Sequence, residues 1–382
     1  MGKTALALLT ALLIAAPAEA DVLKLGVVSA LSGPGSEWGL AVDGGARIAA
    51  KEVNDAGGLK IGGKTYTVEV ISYDDKYKAA DGVTAATRLI EQDGIKYIFG
   101  PLGSASMLAV KPLYEQNDVL ALVDSYSSKV IDKDTRHIYR VLPTTREFDE
   151  PIIEWVKAHK PGLSKVAVIS PNDDTGWESQ AMQKEYYGKA GYKIVATELF
   201  ERSLRDFQPL LTRVLAAGPD IIELDTTPAP TAGLMIRQAR ELGYKGQFVK
   251  IGGPGVPEII KAAGEKFADG TIVYVAADAA DPKYAALEKE YARIHTPPMN
   301  SFNVFFYDAA HMLFDAMRNA GTVDDVGKVR TALEHLTPYH GMQGVLTWTG
   351  KSTYGSDHQL LVPIFVGVIE NGKEKVIGKL GQ

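Results

Sequence analysis

The chain has 382 residues, of which 23% are charged; it contains no cysteine, and its formal net charge is −6 at pH 7. This length allows two domains with full hydrophobic cores, which must hold without disulfides or thiolate-bound metal. A mildly acidic chain without a long basic run is not expected to bind nucleic acid or an anionic membrane surface.

The first twenty residues have the order of a secretory signal peptide. Lys3 precedes an apolar run over residues 5–16, which is followed by Pro17 and by Ala-Glu-Ala at 18–20. A run of about a dozen apolar residues is shorter than the roughly 20 that span a bilayer. We therefore expect cleavage after Ala20, so that residues 1–20 are lost and the mature chain is exported to the periplasm.

From Asp21 onward, short β-branched apolar segments alternate with segments of helical periodicity, which is typical of parallel α/β sheets. Residues 23–28 predict the first strand, and residues 40–56 predict a helix with one apolar face, formed by Val42, Ala46, Ala49, Ala50 and Val53. Further strands are expected at 67–72, 96–99 and 119–123. These elements predict a first doubly wound lobe.

A second series of elements begins after residues 139–148 and predicts a second doubly wound lobe. Its strands are expected at 165–170, 192–197, 220–224 and 247–251, and its helices at 176–190, 206–217 and 230–242. The last hundred residues predict a strand at 271–275, helices at 283–294, 301–320 and 325–335, and strands at 361–369 and 374–379, too few for a third core. We expect lobe 1 to comprise residues 21–141 and 277–345, and lobe 2 to comprise residues 142–276 and 346–382.

Open parallel sheets bind ligands outside the carboxyl ends of their strands, so four loops are candidates: 29–39, 100–106, 124–128 and 172–177. Ser104 is expected to begin a helix, whose free amides and dipole favour an anion, and Ser127 adds a donor from the next loop. An ordinary helix N-cap is the alternative for each serine. Trp38, Tyr126, Trp177 and Phe302 are candidate aromatic walls of a small-molecule cleft, or else core residues.

Signals for enzyme chemistry are weak. The seven histidines show no metal-ligand spacing, residues 252–255 lack the Gly-Lys-Ser/Thr ending of a phosphate loop, and no Gly-x-Ser-x-Gly is present. Asp74 and Asp75 are compatible with a metal site, but a strand end that runs into a helix cap explains them better. We therefore expect no cofactor and no metal, and an exported enzyme is the weaker alternative.

The mature chain resembles the leucine/isoleucine/valine-binding proteins, which are type I periplasmic binding proteins of ABC importers. The resemblance extends along the mature chain and rests on residues 24–28 with 31–34, 52–58, 73–75, 94–100 and 237–243. It implies two Rossmann-like lobes joined by a hinge of three crossovers, no catalysis, and the membrane permease subunits of an importer as partners.

The resemblance also implies roles for single residues. Ser104 and Ser127 fall where the family holds a ligand carboxylate, Ser125 falls where a backbone carbonyl helps to hold the amino group, and Trp38 and Phe302 fall at aromatic walls. Thr175, or Trp177 two residues on, takes the place of a pocket tyrosine from the second lobe.

The chain departs from the family at two places. The positions of the family's common disulfide are occupied by Tyr77 and Gly103. The acidic residue for the α-ammonium is replaced by Gly252–Gly255, so that either Asp225 substitutes for it or the ligand is an aromatic or aliphatic acid without an amine.

Together these observations predict a periplasmic substrate-binding protein that captures a small carboxylate-bearing solute between its lobes. A ligand sensor on the same fold is the alternative, and a monomer is expected.

Overall fold

The computed structural model of the protein describes residues 20–380. The expected signal peptide therefore lies, apart from Ala20, outside the described residues. Within them the strands are, in chain order, β1 (Asp21–Ser29), β2 (Leu59–Ile61), β3 (Lys64–Asp74), β4 (Tyr97–Leu102), β5 (Leu120–Asp124), β6 (Ile138–Arg140), β7 (Lys165–Pro171), β8 (Lys193–Phe200), β9 (Ile221–Glu223), β10 (Gln247–Lys250), β11 (Ile272–Val275), β12 (Tyr339–Gly341), β13 (Gly344–Thr349), β14 (Gln359–Leu361), β15 (Ile364–Glu370) and β16 (Lys373–Leu380).

The α-helices of the described chain follow the same alternation that the sequence predicts. They are α1 (Ser36–Asp55), α2 (Ala79–Glu91), α3 (Ser104–Gln116), α4 (Thr145–His159), α5 (Asp174–Lys189), α6 (Gln208–Ala216), α7 (Ala229–Glu241), α8 (Val256–Ala263), α9 (Glu265–Ala268), α10 (Pro282–Tyr291), α11 (Asn303–Ala320), α12 (Val326–Glu334) and α13 (Lys351–Tyr354).

The strands form two sheets, which confirms the two-lobed α/β architecture. The first sheet has the order β12-β13-β14-β6-β5-β4-β1-β3-β2, and the second has the order β16-β15-β11-β10-β9-β7-β8. The central strands of each run parallel, since β1 pairs in parallel with both β3 and β4, and β7 with both β8 and β9. We call the part of the chain built on the first sheet lobe 1 and the part built on the second sheet lobe 2.

Within residues 20–380 the chain crosses between the sheets three times, after β6, after β11 and after β14. By their pairing, β13 and β14 belong to the first sheet, so the last crossing lies between residues 361 and 364. The expected return to lobe 2 after residue 345 is therefore about sixteen residues too early.

Helix α1 shows how the sequence pattern becomes packing. The five apolar residues predicted to share one face, from Val42 to Val53, are all buried. Its glycines permit a close approach of α11: a Cβ at Gly45 would lie 2.7 Å from the backbone oxygen of Asn303. This contact fixes the start of α11, and with it Phe302, beside α1.

Candidate functional site

A small cavity of about 20 Å³ lies between the two lobes, at the carboxyl ends of their parallel strands. Nearly all of its lining residues directly follow a strand or begin the next helix. The lining is formed by Trp38, Tyr77, Leu102, Gly103, Asp124, Tyr126 and Phe302 from lobe 1 and by Thr175, Thr226 and Gly253 from lobe 2. The cavity is thus where an open α/β sheet is expected to bind a ligand.

Four of the ten lining residues are aromatic. Trp38 and Phe302 lie with ring centroids 6.0 Å apart, and Tyr126 packs edge-on against Phe148 beneath the cavity. Of the nine site residues predicted from the sequence, Trp38, Tyr126, Thr175 and Phe302 line this cavity.

Ser104 begins α3 and lies just behind the lining, fully buried. Its hydroxyl oxygen accepts a hydrogen bond from the Ser127 backbone N–H at 3.0 Å and from the Thr175 hydroxyl at 3.0 Å, and lies 3.4 Å from the Ser125 hydroxyl. Thr175 belongs to lobe 2, so this contact joins the lobes. The three serines predicted from the sequence therefore meet at one point, next to the free amides of a helix N-terminus.

The Ser125 carbonyl, expected to help hold an amino group, already has a protein partner. The buried guanidinium of Arg140 donates from Nη1 to the carbonyl oxygens of Ser125 and Ser127, each at 2.9 Å. Its Nε donates to Gln359 at 2.5 Å. Arg140 thereby holds the 125–127 loop in place.

Two residues predicted for the site lie elsewhere. Trp177 is 51% exposed, and its indole N–H donates to Asn172 at 2.8 Å, away from the cavity. Thr175 and Trp177 are both on α5, and positions two apart on a helix point about 200° apart, so only one of them faces the ligand side.

Asp225 is the second of these residues, and its carboxylate points into lobe 2. It accepts hydrogen bonds from the hydroxyl of Ser179 and from the N–H of Thr226, the latter at 2.7 Å. Burial raises the pKa of Asp225, while Ser179 and the charge of Lys250 lower it. Its oxygens are occupied by these donors, and Asp225 is not among the residues that line the cavity.

Close packing explains why residues 252–255 are rich in glycine. Gly253 has a φ of 68°, and a Cβ there would lie 2.4 Å from Cζ2 of Trp38. The buried Lys250 donates to the carbonyl oxygens of Gly252 and Gly253, and burial lowers the pKa of this lysine to about 8. The segment therefore folds over Lys250 and under the Trp38 indole, which leaves no room for an acidic side chain.

Six lining residues are not among the nine predicted site residues, and two of these, Tyr77 and Asp124, carry ionisable side chains. Tyr77 covers Gly103, where a Cβ would come within 2.7 Å of Cζ of the tyrosine. The guanidinium of Arg202 lies 4.6 Å from the centre of the Tyr77 ring and is paired with Asp173. The signal for Tyr77 was its place at one of the family's disulfide positions, since side chains at both positions must be in contact.

Asp124 is the second of these two residues. It ends β5, directly before the Ser125–Ser127 loop, and is 4% exposed. Burial raises its pKa to about 7, which the charge of Arg140 opposes. Its place after four apolar strand residues resembles an ordinary strand end, so only the cavity reveals it.

Within residues 20–380, no group of three or more His, Cys, Asp and Glu side chains is arranged to hold a metal ion. In the same part of the chain, no helix has both the length and the apolar character to cross a membrane. Asp74 instead binds the N–H of Leu31 and the hydroxyl of Ser32, and Asp75 binds the hydroxyl of Ser106.

Two parallel α/β lobes, three crossovers and an aromatic cavity at the facing strand ends define a two-lobed solute-binding protein. The sequence profile of the family described as periplasmic binding protein matches residues 22–374. The chain belongs to this family, whose members are periplasmic, work with ABC transporter permeases and are not enzymes.

The chain is similar to curated members of the branched-chain amino acid group. It is 28% identical over 362 residues to the Leu/Ile/Val-binding protein BraC3 of Rhizobium johnstonii, covering 94% of each chain. It is 29% identical over 279 residues to the leucine-specific-binding protein of Salmonella typhimurium, covering 71% of this chain and 72% of the relative.

Solved structures share the fold. The branched-chain amino acid transporter substrate-binding protein LivJ from Streptococcus pneumoniae, in complex with isoleucine, aligns with a TM-score of 0.80 and 22% identity over 94% of this chain and 99% of that one. A solute-binding protein from R. palustris in complex with benzoate aligns with a TM-score of 0.79 and 18% identity over 94% and 96%.

Proposed function

We propose that the protein is exported by cleavage after Ala20 and captures one small, carboxylate-bearing solute in the cavity between its lobes for an ABC importer. The observation that carries this proposal is the meeting of aromatic walls from lobe 1 with Thr175 and Gly253 of lobe 2 around a single cavity. Lobe 1 and lobe 2 would act as the two jaws, with the three crossovers as the hinge. A monomer would suffice for this role.

The neighbourhood of Ser104 supports a carboxylate as one ligand group. The first amides of α3 lack intrahelical partners and carry the positive end of the helix dipole. The Ser104 hydroxyl and the Ser127 N–H lie beside them, and Thr175 closes over Ser104 from lobe 2. A ligand carboxylate here would accept charge-assisted hydrogen bonds, which are shorter and stronger than neutral ones.

The size of the cavity restricts the solute. At about 20 Å³ the cavity is small, so the lobes must separate to admit even a small solute, and a single amino acid or a one-ring acid suits it better than a peptide or a sugar chain. Relatives named for branched-chain amino acids and a structural neighbour bound to benzoate support both of these ligand types. A micromolar affinity requires only about 8 kcal/mol.

Contacts between the lobes support a closing mechanism. The Trp38 indole N–H donates to the Pro254 carbonyl across the cleft at 2.9 Å, and the Gly253 N–H donates to the Tyr126 hydroxyl at 3.3 Å. Each contact is made beside the cavity, so a ligand that bridges the lobes would stabilise them. The closed form would present a surface to the permease that the open form lacks.

A thermal-shift screen of residues 21–382 tests the proposal. Compounds would include branched-chain and aromatic amino acids and benzoate, 4-hydroxybenzoate and aliphatic acids. A ligand that binds only the folded state raises the melting temperature, by more at higher ligand concentration. If none of these small carboxylates shifts it at millimolar concentration, the proposal is wrong. Neighbouring genes for a permease and an ATPase would distinguish import from the alternative role as a sensor.

A further inference from the structure

The carboxylate of Asp124 faces the cavity without a hydrogen-bond partner from the protein. Its backbone oxygen accepts from the Gly103 N–H at 2.9 Å, which places the residue at the floor of the cavity. Within residues 20–380, burial and the charge of Arg140 act on its carboxylate, and no protein hydrogen bond to it contributes. A carboxylate that is buried and unpaired is costly unless a partner arrives.

The charged groups around Asp124 do not supply that partner. Arg140, on β6, is the cation that acts on it, but its Nε and Nη1 are bonded to Gln359 and to the carbonyls of Ser125 and Ser127. Its buried Nη2 makes no hydrogen bond, to Asp124 or to any other described residue. The other titratable groups that face Asp124 are phenols, those of Tyr77, Tyr126 and Tyr274. The lining contains no lysine, arginine or histidine.

We propose that Asp124 selects the charge of the ligand by pairing with a primary ammonium group, so that a zwitterion enters and an acid without an amine is rejected. This rests on the proposed function, and it gives to Asp124 the role that Asp225 does not fill. A carboxylate-only ligand would bring a second negative group into the cavity that holds Asp124. An ammonium group cancels the charge of Asp124, and the faces of the surrounding aromatic rings attract it because it is a cation. A neutral hydroxyl group on a ligand would not gain this attraction.

This pairing links binding to a proton. Burial raises the pKa of Asp124 to about 7, so the empty site is partly protonated near neutral pH. An ammonium favours the ionised carboxylate and lowers its pKa, so binding releases a proton and affinity increases from pH 6 to pH 8. An amine-free acid instead favours the protonated form of Asp124, which donates to it, so its binding takes up a proton and weakens over the same range.

The experiment is titration calorimetry on the full mature chain with matched pairs of probes that differ only in the amine. Leucine is paired with 4-methylpentanoate, and valine with 3-methylbutanoate; benzoate and 4-hydroxybenzoate complete the set. We expect the amino acids to bind at least 100-fold more tightly than their amine-free partners. Titration in two buffers of different ionisation enthalpy should show release of a proton by the wild-type protein, a measurement that needs no variant.

The variant Asp124→Asn should lose at least 100-fold in affinity for the amino acid and should no longer release a proton, while Asp225→Asn should retain the wild-type selectivity. The proposal is overturned if only amine-free acids bind, or if Asp124→Asn binds the amino acid as wild type does; in both cases the broader proposed function stands. If no probe binds, the proposed function itself fails.

Discussion

The indole N–H of Trp38, on lobe 1, donates to the carbonyl oxygen of Pro254, on lobe 2, at 2.9 Å. The same carbonyl accepts from the Asn300 side chain at 2.8 Å. One lobe-2 carbonyl is therefore held from two places on lobe 1, directly above the cavity that Trp38 lines.

Trp38→Phe keeps an aromatic wall but removes the N–H that crosses the cleft. Pro254 keeps its bond from Asn300, so the loss is one hydrogen bond, about 0.5–1.5 kcal/mol. We expect about a 2- to 10-fold weaker affinity for the best ligand of the screen, measured by calorimetry. Trp177→Phe is the matched control, because that indole lies outside the cavity, and it should bind as wild type does. Equal losses in both variants would contradict the placement of Trp38.

Gly253→Ala should impair closure more than folding. The added methyl would lie 2.4 Å from Cζ2 of Trp38, which belongs to the other lobe, so the clash arises only when the lobes meet. The left-handed backbone of residue 253 adds about 1–2 kcal/mol of strain within lobe 2. We expect a loss of more than about 10-fold in affinity (about 1.4 kcal/mol) with a small decrease in melting temperature.

The control for this change is Gly162→Ala, since a Cβ there meets no atom within 4 Å. It should leave both binding and melting temperature unchanged. Unimpaired binding by Gly253→Ala would mean that the ligand-bound lobes do not approach as they do in the present structure.

Asp124 should make the ligand-free protein less stable as pH rises. Its pKa is raised from 3.8 to about 7 by burial, so the carboxyl contributes its full stability below about pH 4 and loses it as pH increases through 7. At 1.36 kcal/mol per unit, the loss is at most about 4 kcal/mol. Chemical denaturation at pH 5 and pH 8 should therefore show a smaller decrease for Asp124→Asn than for wild type, and equal decreases would contradict the burial of this carboxylate in the free protein.

Two glutamates, one from each lobe, accept a hydrogen bond from a backbone N–H of the opposite lobe at the start of a helix. Glu37 accepts from the N–H of Ala229, where α7 begins, at 3.1 Å, and Glu178 accepts from the N–H of Ser128, where a short 3-10 helix begins, at 2.9 Å. An ionised carboxylate makes a stronger acceptor than a neutral group, by an amount that salt reduces.

Glu178→Gln should therefore weaken ligand binding about 2- to 5-fold in a buffer of low ionic strength, and by less at about 1 M salt, where the screening length falls to about 3 Å. Calorimetry at the two ionic strengths measures both values. Glu185→Gln on the same helix is the control, because its exposed side chain pairs only with Lys189. A salt-independent loss would show that charge is not the cause.

Most of the long elements are predictable because their periodicity is local. Strand β7 was expected at 165–170 and spans Lys165–Pro171, and α5 was expected at 176–190 and spans Asp174–Lys189. Strands of three residues, such as β2, β12 and β14, have no detectable alternation and exist only through their neighbours in the sheet. This is also why residues 346–361 were assigned to the wrong lobe.

The candidate site was predictable only in part. Strand-end loops identify Trp38, Tyr126 and Thr175, since topology alone brings those loops together. The loops do not determine which way a side chain points. The sequence therefore predicts Trp177 and Asp225 as site residues, although Trp177 faces solvent and Asp225 faces the interior of lobe 2. Asp124 was missed because its character comes from the absence of donors around it, which only three-dimensional packing establishes.

The three crossings of the chain have a consequence for how the molecule can be divided. Strand β14 of lobe 1 follows β7–β11 of lobe 2 in the sequence, and β15 and β16 of lobe 2 come last. No single cut therefore releases an intact lobe, and each sheet is completed only when distant parts of the chain meet. Folding through such non-local pairing is slow, and the two jaws must mature together rather than one after the other.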